Sequence, residues 1–572
     1  MQSFIQYRRI GLGVRKQLER DSEKSGFSFT QSRLPPHAQS TTHQETPSSS
    51  SSSNSANSNT SDSQRDSITS NEDEEIVEES HLGHTLTGIH VRDRTTHEGK
   101  GEKVFIVDWE GQNDPHNPRN WSVAYRVWIT LNVALIAFVV GAASSTDTAV
   151  LPQAAADFGV SDVVESMTIG LYLVGFAVGA AFAGPFSETF GRNAVYIVTM
   201  FIFMIFIMAS ALAPNIGAQL AFRFLAGIFG ATPLTCAGGS ISDLWNPIEK
   251  TFAFPIYAIA GFIGPVLGPV IGSYIINLGS WRWAEWIVLI ISAVVLGIIV
   301  LFQPETFPPL LLRWKAQHLR HETGNTRFSS EMEIIQKPLG SRLYEALTRS
   351  ITLSSEPIVL SMALYLTVLY IVLFTFLDGY TYIFQEVYDI SQGLTNVIFT
   401  GICVGILLAS FLVPWRYIET KKSFANNKFV PEQRLRFAML GAPAIPISLF
   451  WMAWTSYSHI SIWSPILAST LLGYGLICIF MTAYMYIIDS YEVYAASALT
   501  FVTVTRYAIA GGMTIAGVPF YRDVSHHVVL SVLGGVSLVL MPVPYVFYKY
   551  GHVVRRRSRW AVSWDGGVGV EL

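Results

Sequence analysis

Charge stands at three points of this chain where charge is expensive. Arg223, Asp147 and Asp378 each fall inside long apolar runs, and an ionisable side chain in such a place costs several kcal/mol unless it meets a partner or a wet cavity. An arginine there must find a partner, and a carboxyl there is suited to trading protons, so Asp147 and Asp378 are the proton-carrier candidates. Both lie near the ends of their runs, and a vestibule or snorkelling role is the competing reading. A second group is Gly184-Pro-Phe-Ser-Glu-Thr-Phe-Gly-Arg192. Its glycines Gly184 and Gly191 allow a tight turn, and Glu188 and Arg192 can pair with neighbouring helix ends; solvated loop charges are the alternative. The third is Gly261 to Ser273, reading GFIGPVLGPVIGS. Gly264, Gly268 and Gly272 recur every four residues, which gives a helix one face without side chains and invites close approach of another backbone. Pro265 and Pro269 follow at the same spacing, each removing a donor and bending the helix. Helix packing alone would also explain this stretch.

These residues need elements to hold them, and the composition says which. Half the residues are hydrophobic and 14% are charged, a balance of a polytopic membrane protein and not of a soluble enzyme. The net charge of −4 excludes no partner class. Apolar runs of about 20 residues each, long enough to span a bilayer, are expected at 126–148, 166–186, 194–213, 218–241, 253–277 and 285–303, then at 357–382, 395–415, 437–456, 464–488, 497–519 and 529–548. Five segments follow: a Ser-rich and acidic disordered tail over 1–120, a six-helix half over 121–303, a basic central loop over 304–356, a second six-helix half over 357–549, and a basic tail over 550–572. The tail carries the run Ser48 to Ser53 and the acids Glu72, Asp73, Glu74, Glu75, Glu78 and Glu79, a composition that buries too little apolar surface to offset its ordering entropy. Its first turns, with Arg8, Arg9, Arg15, Lys16 and Arg20, show only a weak amphipathic pattern. Cys236, Cys403 and Cys478 lie far apart in apolar runs, without the spacing of a disulfide framework or a metal site.

Basic residues are distributed unevenly about the spans. Arg119, Arg126, Arg192, Lys250, the central loop, Arg416, Lys421, Lys422, Arg436, Lys549 and Arg555 to Arg557 fall on one side, against chiefly Arg282 and Arg522 on the other. Lysine and arginine accumulate on the cytoplasmic face, so both termini are expected there. The stretch from Asp147 to Ser161 is echoed from Asp378 to Ser391. That weak repeat suits two parallel halves with a site between them.

Several short motifs carry a resemblance. Asn117-Pro-Arg-Asn-Trp121, Gly184 to Arg192, Arg223-Phe-Leu-Ala-Gly227, Gly261 to Ser273, Trp281-Arg-Trp283, Pro304-Glu-Thr306, Arg434 to Trp451, and Tyr494-Ala-Ala-Ser497 leading to Arg506 resemble, as a set, a fungal member of the major facilitator superfamily from the twelve-span drug:proton antiporter group. The resemblance runs from about Asp108 to Trp560. It implies an all-α polytopic membrane protein with two six-helix halves, twelve transmembrane helices and cytoplasmic termini. It also implies that Glu188 and Arg192 hold an inner gate, that Arg223 takes part in proton coupling, and that Gly264 to Gly272 belongs to an antiporter motif. The chain departs from the family at Thr381 and Thr514, where proline is usual, and at Asn193, where a second arginine is common. Arg506 is expected to pair with Asp489 or Glu492.

The aromatic residues of the spans, Tyr172, Tyr257, Tyr380, Tyr382 and Tyr484 foremost, with Phe176, Phe262 and Phe374, suit a cavity for amphipathic or weakly cationic organic molecules. The expected function is proton-coupled export of drugs, toxins or secondary metabolites by alternating access, with the lipid bilayer, protons and a small organic substrate as partners. A monomer is expected at the plasma membrane, the vacuolar membrane being the alternative, with no nucleic acid, cofactor or metal. Facilitated diffusion or uptake is the alternative within transport, and a ligand sensor signalling through the tail is the alternative of another class. No nucleophile and base pair in the spans supports an enzyme.

Overall fold

The computed structural model describes residues 1–25, 87–94, 102–275, 279–334, 338–426 and 428–562. In chain order, α1 (Gln2–Ser25), β1 (Ile89–Arg94) and β2 (Glu102–Val107) come first. Six long helices follow: α2 (Val123–Ala143), α3 (Asp162–Phe190), α4 (Arg192–Ala211), α5 (Ile216–Leu244), α6 (Lys250–Ile275) and α7 (Trp283–Phe302). The centre holds α8 (Pro308–Thr323), β3 (Phe328–Ser329) and α9 (Leu339–Leu353), and the remainder is α10 (Pro357–Tyr380), α11 (Thr400–Ser410), α12 (Ala444–Thr455), α13 (Trp463–Tyr491), α14 (Ala495–Asp523) and α15 (His526–Leu540). Among the described residues, eleven helical stretches are long and apolar enough to cross a membrane. The longest, Trp463–Asp523, is α13 and α14 in sequence. They part at Glu492, whose φ of 33° turns the chain sharply, so twelve spanning helices result.

The segments sort into two units, one of Met1–Ser3, Trp121–Phe307 and Lys337–Leu572, the other of Phe4–Asn120 and Pro308–Gln336. In the larger unit, backbones touch wherever glycines leave room. In the first half α3 and α5 meet at Gly175, Gly179 and Gly227, each of whose missing Cβ would strike a carbonyl of the other helix. In the second half α11 and α13 meet in the same way at Gly405 and Gly473. The two halves touch along α3 and α14, where a Cβ on Gly170 would lie 2.7 Å from the Gly511 carbonyl oxygen and one on Gly511 2.6 Å from that of Gly170. The missing prolines have local substitutes. After Tyr380 the helix widens to an i→i+5 pattern over Thr381–Gln385, a form that bends a helix without proline. Thr514 donates back to the Ala510 carbonyl at 2.8 Å, a bond that also bends helices.

Within the described residues, the smaller unit replaces the expected disordered tail at 4–25, 87–94 and 102–120, and the expected plain loop at 308–334, by folded elements. Ile10, Val14 and Leu18 of α1 recur every four residues and are buried with Phe105 and Val107 of β2, Leu311 and Leu319 of α8 and Phe328 of β3. β1 and β2 pair antiparallel from Ile89↔Val107 to Arg94↔Glu102, and β3 adds in parallel, Phe105↔Phe328. Each end of the supposed tail is too small to bury its apolar face alone, and the central loop supplies the missing wall. The serine run Ser48 to Ser53 and the acids Glu72 to Glu79 lie outside the described residues, as do residues 563–572. Of the C-terminal tail, a helix continues as Val543–Arg557, tied by Arg555 to Glu432 at 2.8 Å.

Candidate functional site

Arg223 is fully buried in the middle of the first half. Its helix begins at Asn215, whose side chain accepts from the Ala218 N–H at 2.9 Å, the arrangement that satisfies a helix's free first donors. Two turns later Arg223 Nη2 stands 2.5 Å from Asp147 Oδ2, and Nη1 stands 3.5 Å from Glu285 Oε1. The guanidinium lies over the Tyr172 ring at 4.9 Å. These are contacts of charge with charge more than directed hydrogen bonds, because none of the three guanidinium nitrogens has an acceptor along its N–H. Glu285, at the first turn of α7, also accepts from Ser210 Oγ at 2.9 Å. A third acid, Glu165 of α3, is 1% exposed and accepts from Gln219 at 3.3 Å, one turn before Arg223 on α5. One permanent cation thus shares a dry pocket with three carboxylates.

The glycine and proline stretch of α6 sets the position of Asp147. A Cβ on Gly264 would lie 2.5 Å from the Phe138 carbonyl oxygen, one on Gly268 2.6 Å from that of Ala142, and one on Gly272 2.7 Å from that of Thr146. The smooth face of α6 therefore seats α2 and the turn after it, Thr146–Val150, which carries Asp147. Pro269 has no N–H for the Pro265 carbonyl, and Ser145 Oγ donates to that carbonyl instead at 2.7 Å. Two residues beyond Ser145 is Asp147, so the proline defect of α6 and the acid of the cluster are fastened by one turn.

At the other end of α3, Arg192 is buried and its Nε lies 3.1 Å from Asp243 of α5. The main-chain N–H groups of Arg192 and Asn193 donate to the Glu305 carboxylate at 3.0 and 3.1 Å, placing an anion on the N-terminus of α4. Gly191 has φ 90°, a turn that favours glycine. Glu188 is exposed and forms no ion pair among the described residues. These contacts join Arg192 to Asp243 and Glu305 and do not use Glu188. Nothing crowds Gly184.

The aromatic candidates separate. Tyr172 backs Arg223 and donates to the Val140 carbonyl at 3.0 Å. Tyr257 donates to the Leu234 carbonyl at 2.8 Å, and Tyr484 stacks with Phe254 and Phe480. Tyr380 is buried in the second half, bonded to Ser469 at 2.6 Å and stacked on Phe399. Tyr382 stacks with Tyr521 at the far end of the bundle. Between the halves is a cavity of about 10 Å³ lined by Ser144, Phe176, Phe262, Tyr370, Phe374 and Tyr507, among others, room for about one water. The side chain of Asp378 lies outside the described residues. Arg506 does not pair with Asp489 or Glu492: Asp489 binds Arg434 at 2.7 Å, and Arg506 lies in a cage of rings.

Sequence reasoning missed Glu285 and Glu165. Their signal was an acid at the edge of an apolar run, as for Asp147, but set among polar flanks that suggest solvent. The halves also touch at both ends. Gln392 Nε2 donates to the Ala149 carbonyl at 2.7 Å, with Gln153 3.2 Å away, and on the opposite face Arg434 donates to Thr251 Oγ1 and to the Pro247 carbonyl.

The chain belongs to the Major Facilitator Superfamily, whose model matches residues 133–515. It is therefore a multi-pass membrane transporter, with a bilayer and a small-molecule substrate as its surroundings. The MFS-type transporter kojT of Aspergillus flavus is 48% identical over 466 residues, 80% of this chain and 82% of its own. The citrinin biosynthesis cluster MFS transporter mrr1 of Monascus ruber is 35% identical over 472 residues, 81% of this chain and 93% of its own. Among solved structures, the proton:xylose symporter XylE superposes with a TM-score of 0.56 at 14% identity, covering 75% of this chain and 96% of that one. That likeness is one of fold.

Proposed function

We propose that the chain is a proton-coupled exporter of small amphipathic organic compounds such as drugs, toxins or secondary metabolites, working by alternating access in the plasma membrane with its basic face in the cytoplasm. One observation carries the reading: Arg223 shares its dry pocket with Asp147, Glu285 and Glu165, while Ser144, three residues before Asp147, lines the closed cavity between the halves. Unpaired buried carboxylates cost several kcal/mol each. While the cavity is shut, these acids have no water with which to exchange protons. Opening to water on one side lets them leave, and a substrate entering the cavity competes with their return. Export is supported by the resemblance of Gly261 to Ser273 to an antiporter motif and by the similarity to a transporter of a biosynthesis cluster.

The test uses sealed vesicles with an imposed pH gradient, following accumulation of an amphipathic dye by the wild type, Asp147→Asn and Arg223→Ala. Accumulation should follow the gradient, collapse with a protonophore and fall at least about tenfold in Asp147→Asn, while dye exchange without a gradient persists in that variant. Wild-type transport indifferent to the gradient would sink proton coupling and leave a facilitator.

A further inference from the structure

Most arginines buried in the membrane unit have a carboxylate. Arg126 has Glu249, Arg192 has Asp243, Arg223 has Asp147, Arg416 has Glu419, Arg434 has Asp489 and Arg555 has Glu432. Arg506 of α14 is 3% exposed and has no acid within ion-pair distance among the described residues. Its Nε and Nη1 have no hydrogen-bond acceptor. Around it stand Tyr370 at 4.4 Å, Tyr507 at 4.8 Å, and Phe480 and Tyr484 at 5.3 Å from the guanidinium carbon. Asp378, whose side chain is not described, stands eight residues beyond Tyr370 on the same helix, about 12 Å of rise away.

Rings attract a cation through their quadrupoles, but they accept no directed N–H bond of the strength a carboxylate does. The charge on Arg506 is thus caged and dry without being neutralised. Two walls of the cage, Tyr370 and Tyr507, also line the cavity between the halves, as does Ser144 of the first half. A molecule in that cavity meets ring faces first and the forked guanidinium behind them.

We propose that Arg506 is the binding point for an acidic oxygen of the transported compound, so that the substrates are small organic acids with a planar, ring-bearing body. This rests on the transporter reading and narrows it away from the weakly cationic compounds that the aromatic content alone suggests. The carboxylate of the substrate supplies the anion that the protein withholds, and the rings supply stacking. Arg506 then attracts the acid from the second half, behind the rings of Tyr370 and Tyr507 that line the cavity.

The test measures binding to the purified full chain, with no gradient, by tryptophan fluorescence quenching. The probes are 2-naphthoate, 2-naphthamide and 2-naphthylmethylamine, which share a ring body and differ in head-group charge. The wild type should bind the acid about tenfold or more tighter than the amide. Arg506→Gln should lose that preference while still binding the amide, which also shows that it is folded. Arg506→Lys keeps the charge without the planar fork and should keep part of the preference. The inference is overturned if the amide or the amine binds wild type as well as the acid, if the preference survives in Arg506→Gln, or if no probe binds. Because the readout needs no gradient, its failure is separable from failure of proton coupling, which shows only in the vesicle assay.

Discussion

A guanidinium cannot shed its charge, whereas a carboxylate can take up a proton. That asymmetry governs what each member of the Arg223 cluster does when its partners are removed. Replacing Arg223 by methionine leaves Asp147, Glu285 and Glu165 without a cation in a dry pocket. At neutral pH the loss should be about 3–5 kcal/mol, the usual cost of breaking one side of a buried pair. Thermal unfolding of the detergent-solubilised variant against wild type reads the difference; a variant as stable as wild type would mean that the acids do not depend on Arg223 as their contacts with it suggest. Arg223 and Asp147 could be singled out from the sequence because each is a charge inside an apolar run. Glu285 could not, since it begins its helix beside Trp281, Arg282 and Trp283 and reads as a solvated end. Its burial by Ser210 and Arg223 is tertiary, and one dimension does not contain it. Arg506 was visible as a charge, but its neighbours in sequence, Asp489 and Glu492, pointed to a pair that the turn at Glu492 sends elsewhere.

Elements in this bundle are placed by what their faces lack. The face of α6 that lacks side chains at Gly264, Gly268 and Gly272 was readable from the four-residue spacing, and its seat against α2 follows from that pattern. What no spacing could give is the content of the seat, the turn Thr146–Val150 that aims Asp147 at Arg223. Adding one methyl group to α6 should show the link. A Cβ on Gly268 would meet Ser145 Oγ and the Ala142 carbonyl, so Gly268→Ala should cost about 1–3 kcal/mol by overpacking and displace the Asp147 turn. Gly261→Ala makes the control, because its Cβ would lie 3.9 Å from the nearest atom, an ordinary contact. Thermal unfolding together with the gradient response of vesicles compares the two; equal behaviour would remove the glycine face as the support of Asp147. The smaller unit teaches the converse. Ile10, Val14 and Leu18 form a stripe too short to be persuasive alone, and Phe105 and Val107 a strand too short to stand alone. Their partners Leu311, Leu319 and Phe328 come roughly 200 to 300 residues later, behind six spans that draw attention away, so two weak signals were read as a tail and a loop instead of as one core.

The whole molecule is closed at both ends of its central cavity. Gln153 and Gln392 meet across the halves at 3.2 Å on one face, and Arg434 reaches Thr251 and Pro247 across them on the other. With about 10 Å³ between, no organic substrate fits, so transport requires these contacts to part by turns. The twelve spans and their division into halves were legible from run lengths alone; the closure was not, because it depends on which polar tips meet after the halves dock. Joining the halves at the Gln153 end should stop the cycle. The three cysteines are all buried, so a Gln153→Cys, Gln392→Cys double variant offers a short thiol-bridging reagent few competing sites. Cross-linked vesicles should transport at least about tenfold more slowly than the same variant unmodified, and cleaving a reducible bridge should restore the rate, as expected when opening of one face is an obligatory step. Each single-cysteine variant treated alike should keep its rate, which separates the tether from a blocked entrance. Undiminished transport in a fully bridged protein would mean that the substrate leaves by a path that does not open between Gln153 and Gln392, and the rocking of one half against the other would have to be abandoned for a movement within a half.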